Sequence, residues 1–142
     1  MGSDANAMIV ATLDDIAWLL NLRGNDIDYN PLFFSYLIFH KGENDEGSRV
    51  DLFIDEVKVS EADVQEYLKA NNVSVHAYTA IADKLKQYGE TLQDKRIIFD
   101  EGSSNYFLFN VLKENGFEIV KRSGVIPHMK ACKNPVQMEG MR

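Results

Sequence analysis

The chain has 142 residues, 45% of them hydrophobic and 26% charged, the balance of one soluble globular domain. Fifteen basic residues against 22 acidic ones give a net charge of −7. That argues against a nucleic-acid surface, which needs clustered cations, and disfavours docking on anionic membranes. No apolar run is long enough to span a bilayer, and no charged leader precedes an apolar signal segment. Cys132 is the only cysteine, so no internal disulfide forms and a reducing cytosol is the expected compartment.

Residues 1–7, MGSDANA, read as a tag or trimmed leader outside the fold. The apolar run 8–11 predicts a first strand. Thr12 is a good helix N-cap, and Asp15 follows at capping-box-like spacing with Asp14 beside it. Ile16, Ala17, Leu19 and Leu20 form the apolar face, with Trp18 expected to be buried, and Gly24 is expected to end the helix. Residues 25–30 form a polar loop, and Pro31 holds Asn30 out of helical geometry. The run 33–40 predicts a strand buried on both faces. A charged turn over 42–48 joins it to a strand over 50–55, which makes an antiparallel hairpin.

Ser60 is the expected cap of a helix ending at Asn71 and Asn72, with Ala62, Val64, Tyr67 and Leu68 on its apolar face. A strand over 73–77 precedes a helix over 81–88, closed by Gly89. A strand over 96–100, a turn over 101–104, a helix over 105–115 ended by Gly116, and a strand over 117–120 follow. Residues 124–128 are expected to run extended through Pro127, and 130–142 to open a further helix. The order β-α-β-β-α-β-α-β-α-β predicts an α/β domain: a mixed, mostly parallel sheet with helices on both faces.

Several residues could carry chemistry. Asp14, Asp15, Asp26 and Asp28 could offer carboxylates to a hard cation, although helix capping and a solvated loop explain them more simply. His40, His76 and His128 lack the pairwise spacing that starts a transition-metal site. Cys132 sits between Lys130 and Lys133, which favours its thiolate, but no oxyanion scaffold precedes it. Ser103, Ser104 and Asn105 follow a strand, where α/β sheets bind ligands, yet they lack phosphate-loop glycines, and capping by Ser104 or Asn105 fits better. Arg23 could grip a carboxylate bidentately or pair with Asp26 or Asp28. Phe33, Phe34 and Tyr36 read as core rather than a base-stacking platform.

The stretch ATLDDIAWLLNLRGNDIDYNPLFFSYLIF at 11–39 resembles the middle domain of cytosolic Xaa-Pro aminopeptidases, which carry a similar helix, N-L-R-G, N-P and F-F-S-Y run. LFID at 52–55 fits the same family. So does KACKNPVQMEGMR at 130–142, which is similar to the junction where that family's catalytic domain begins. There Gln137 replaces a frequent glutamate, while Glu139 and the following Gly140, Met141 and Arg142 match. The resemblance implies a creatinase/prolidase N-terminal domain with a ribonuclease-H-like fold over 8–129 and a linker with the first turn of a catalytic domain over 130–142. It implies a parent metallopeptidase that cleaves between a first residue and a following proline. Two divalent ions, usually manganese, would be held in the parent's catalytic domain and none here. The partners implied are that catalytic domain, a peptide with proline in second position, and a second subunit, with no nucleic acid or membrane. Arg23, Asp26 and Asn30 are then the candidates for a substrate entrance or subunit contact. The alternatives are a stand-alone α/β interaction module and a domain of a prolidase or creatinase relative.

Overall fold

The structure is a computed structural model that describes residues 5–42 and 47–142. Among them, six strands form one sheet: β1 Ala7–Val10, β2 Ser35–His40, β3 Arg49–Ile54, β4 Val73–Ala77, β5 Arg96–Phe99 and β6 Glu118–Lys121. The helices are α1 Leu13–Leu20, α2 Ala62–Ala70, α3 Ile81–Thr91, α4 Tyr106–Glu114, α5 Val125–Ala131 and α6 Pro135–Gly140. Strand order is β4-β3-β2-β1-β5-β6. Only β2 pairs antiparallel, to β1 and β3, so the other five strands share one direction. The predicted mixed sheet and its hairpin are both present. Most of the expected turn between β2 and β3 lies outside the described residues.

Side chains that alternate along the strands feed two cores. Val10, Leu37, Leu52, Ile54 and Ile98 meet Ile16 and Leu20 of α1, Leu68 of α2 and Ile126 of α5. Ile9, Ile38, Phe53, Ile97 and Phe99 meet Ile81 and Leu85 of α3 and Leu108 and Leu112 of α4. Each fully buried aliphatic side chain contributes roughly 1.5–3 kcal/mol, so both helical layers are fixed to the sheet.

Local chemistry shifts several expected boundaries. Ala5 is only 1% exposed, and the Asn6 amide donates to the Arg96 carbonyl, so packed structure begins before Met8. Trp18 is half-buried. Asn21, at φ 50°, ends α1 three residues before Gly24, because its amide reaches the Ala17 and Trp18 carbonyls. Thr12 stands at the N-cap, but its hydroxyl donates to the Asp15 carboxylate and caps no amide. Ser60 closes a 3-10 turn over Glu56–Val59, and Glu61 takes the N-cap position of α2. Gly89 lies inside α3, where a Cβ would stand 2.7 Å from the Asn115 carbonyl, so it permits close approach of α3 and α4. Residues 125–131 form α5 rather than an extended segment, since Pro127 falls in the first turn, where no amide donor is required. Asn105 caps α4, as the sequence suggests, and Asn134 caps α6 with a complete capping box.

Candidate functional site: the carboxyl edge of the sheet

Five parallel strands point their carboxyl ends to one edge, and the loop entering antiparallel β2 lies on that edge too. Connections leave it towards opposite faces: β1 leads into α1 on one, β5 into α4 on the other. The crevice between β1 and β5 is where an open α/β sheet normally receives a ligand. Here α5 closes it. Ile126 is buried in the core, the Gly124 amide donates to Asp100 at 3.2 Å, and Pro127 lines what remains. The remaining cavity, beside Asp15 and Ser103, holds about 30 Å³, room for roughly one water. Ser103, after β5, thus lines a cavity of water size.

The loop over 23–34 is a narrow hairpin. Amides of Gly24 and Asp26 donate to the carbonyls of Pro31 and Leu32, and Asn30 closes a turn back to Ile27. Gly24 allows the two limbs to touch, since a Cβ there would lie 2.7 Å from Phe33 Cβ. Arg23 pairs with neither Asp26 nor Asp28. Its guanidinium donates to the Ala17 and Leu22 carbonyls at 3.1 and 2.8 Å and satisfies the end of α1. Asp26 binds the Lys58 ammonium and accepts from the Phe34 amide at 2.6 Å. The Lys58 hydrogen bond first, then that amide, hold its carboxyl below the usual range. The Asn30 side chain donates to the Asp28 carbonyl. The three candidate residues thus occupy the base, middle and tip of one loop, and each shapes it. Phe33 is buried beneath, while Phe34 is half exposed. Nearby, Tyr36 stacks on Tyr78 at 5.2 Å and accepts from the Asn105 amide group.

A second constellation lies within the sheet, on the α3 side. Asp51, 2% exposed, accepts from His40 Nε2, His76 Nε2 and the Tyr88 hydroxyl, each at 2.7 Å. Arg49 Nε lies 3.8 Å away. Burial pushes the Asp51 carboxyl up, but hydrogen bonds from His40, Tyr88 and His76 outweigh it and bring the carboxyl well below the usual range. Burial and the same carboxylate push the Tyr88 phenol upward. Both imidazoles must present Nε2–H to this carboxylate, which therefore has few lone pairs left for a cation. Residue spacing did not reveal this cluster, but strand register does. His40 faces Arg49 and Phe53 faces His76, which places both histidines diagonal to Asp51 on one face.

The other candidates are dispersed. Asp14 and Asp15 both bind Lys130, at 2.7 and 2.9 Å, and tie α5 to α1. His128 is on α5, away from the other histidines, and Cys132 is free and exposed. Among the described residues no group of three or more His, Cys, Asp or Glu side chains is arranged to hold a metal ion. The described residues therefore do not fit a dinuclear centre. Nor, among the described residues, is any helix long and apolar enough to cross a membrane.

Residues 1–137 match the Creatinase/Prolidase N-terminal domain family. The chain belongs to that family. The creatinase/prolidase-type domain is 40% identical over 144 residues to a probable Xaa-Pro aminopeptidase P of Paracoccidioides lutzii, covering 94% of the chain and 22% of that protein. It is 38% identical over 139 residues to the Xaa-Pro aminopeptidase of Drosophila melanogaster, covering 96% and 21%. It superposes on a crystal structure of X-prolyl aminopeptidase from Caenorhabditis elegans, described as a cytosolic enzyme with a di-nuclear active site. The TM-score there is 0.78 at 30% identity, over 96% of the chain and 21% of the other. The N-terminal domain of the cytoplasmic peptidase PepQ from Mycobacterium tuberculosis shares the fold, with a TM-score of 0.55 at 16% identity over 87% and 86%. The creatinase/prolidase-type domain thus spans about a fifth of the length of the aminopeptidases it matches.

Proposed function

We propose that this is a non-catalytic domain of a cytosolic Xaa-Pro aminopeptidase, whose loop over 23–31 helps shape the substrate entrance or a subunit contact. The observation that carries the reading is the match across 94% of this chain to only 22% of an aminopeptidase. The remaining four-fifths of such a parent would hold two divalent ions, with manganese the expected metal, and residues 130–142 would lead into it. When bound there, the ions would activate a water for attack on the peptide carbonyl. This domain's own residues would bind no ion. Arg23, Asp26 and Asn30 would fix the loop's shape, and the exposed limb would face the peptide or a neighbouring subunit.

Asp26 gives the sharpest test of the entrance role. Asp26→Ala in the full-length parent is expected to lower kcat/KM on an Xaa-Pro-Xaa peptide about tenfold, mostly through KM, with the protein still folded at assay temperature. Steady-state kinetics beside a melting curve checks this. Unchanged kcat/KM would contradict the entrance role.

A further inference from the structure

We infer that Tyr29 is an anchor by which this domain docks into the rest of its parent polypeptide, in an apolar pocket with a basic rim. The inference rests on the reading of the chain as one domain of a longer aminopeptidase. Tyr29 stands at φ 64°, in the third position of the turn closed by the Asn30 amide on the Ile27 carbonyl at 3.0 Å. Turns with a left-handed third residue favour glycine or asparagine, because a Cβ clashes there. Among the described residues the ring gains no packing in return: Tyr29 is fully exposed. A strained backbone that displays an unpacked aromatic points to a partner elsewhere.

The tip is also held ready. Hydrogen bonds from Gly24 to Pro31 and from Asp26 to Leu32 fix the two limbs, and Lys58 fastens Asp26. A tyrosine displayed on a fixed backbone makes a good interface centre, because the loop loses little freedom on docking. Further exposed apolar side chains, Phe34, Val57 and Tyr78, line one shallow groove together with Asp55, Glu56 and Lys58. The occupant follows from length and charge. Four-fifths of each matched aminopeptidase lies outside the matched region, so a large partner is covalently at hand. A second copy of this domain fits worse. Each carries a charge of −7, and exposed Asp28 beside the ring would face its own kind across a twofold axis.

Hydrogen–deuterium exchange tests the proposal on the full-length parent and on the 142-residue chain. In the parent, amides of residues 27–32 are expected to exchange at least tenfold more slowly than in the short chain. Tyr29→Asn should abolish that difference while leaving the short chain's melting temperature equal or higher, and Tyr29→Phe should retain the protection. Equal exchange in both proteins, or protection that survives Tyr29→Asn, would overturn the proposal. A parent that protects the loop but cleaves no Xaa-Pro peptide would leave the docking standing and remove the aminopeptidase reading. An active parent with an unprotected loop would do the reverse.

Discussion

Replacing Asp51 by asparagine is expected to lower the unfolding free energy by about 3–5 kcal/mol, the usual cost of removing one partner from a buried charged network. The carboxylate accepts three short hydrogen bonds, from His40, His76 and Tyr88. An amide offers one acceptor oxygen and turns two donors towards groups that themselves donate. The pH dependence has a defined sign. The folded state depresses the Asp51 carboxyl below its ordinary 3.8, so the contribution is fully present above about pH 4. It is lost as pH falls below that value towards the folded one. Urea unfolding of both proteins from pH 7 to pH 2 checks this. The gap between wild type and variant should narrow below pH 4. A loss under 1 kcal/mol at pH 7, or a gap independent of pH, would show that the network adds little to the apolar contacts that hold α3 to the sheet.

Gly24→Ala should destabilise by about 2 kcal/mol, within the range for forcing a methyl group into a packed site. The added carbon would meet Phe33 Cβ at 2.7 Å and the Leu32 carbonyl oxygen at 3.0 Å. Phe33 is buried in the core and cannot swing aside. The loop's outgoing limb must then move, which also displaces the tip that carries Tyr29. Gly140→Ala is the control: nothing lies within 4 Å of its added carbon, so its change should stay within about 0.5 kcal/mol. Equal stability of the two variants by chemical unfolding would show that the loop yields freely, against its role as a fixed element.

The sheet was legible because its strands are short apolar runs bounded by turn residues. RIIF at 96–99 is such a run, VSVHA at 73–77 alternates apolar and polar residues, and both strands form where expected. The helix after Asn105 was legible for a different reason, a side chain that caps the Leu108 amide. Errors arose where tertiary contact overrides local chemistry. Gly89 reads as a helix stop, yet it is a contact point between α3 and α4. Pro127 reads as a helix breaker, yet at the first turn it breaks nothing. Arg23 reads as a salt-bridge partner for Asp26 or Asp28, yet it turns to carbonyls that only converge once α1 ends at Asn21. The Asp51 network was invisible to spacing, since its members lie 11, 25 and 37 residues apart. Strand pairing alone brings His40 and His76 to that carboxylate. Tyr29 passed as an ordinary loop residue because backbone handedness is not written in a side-chain pattern.

The decisive measurement is a peptidase assay with manganese on an Xaa-Pro-Xaa peptide, run on this 142-residue chain and on the native reading frame extended past Arg142. An accessory domain of a Xaa-Pro aminopeptidase predicts release of the first residue by the extended protein and none by the short chain. Hydrolysis by the short chain would contradict the account and place a catalytic centre inside this domain. Inactivity of both would contradict the aminopeptidase parentage and favour a stand-alone interaction module.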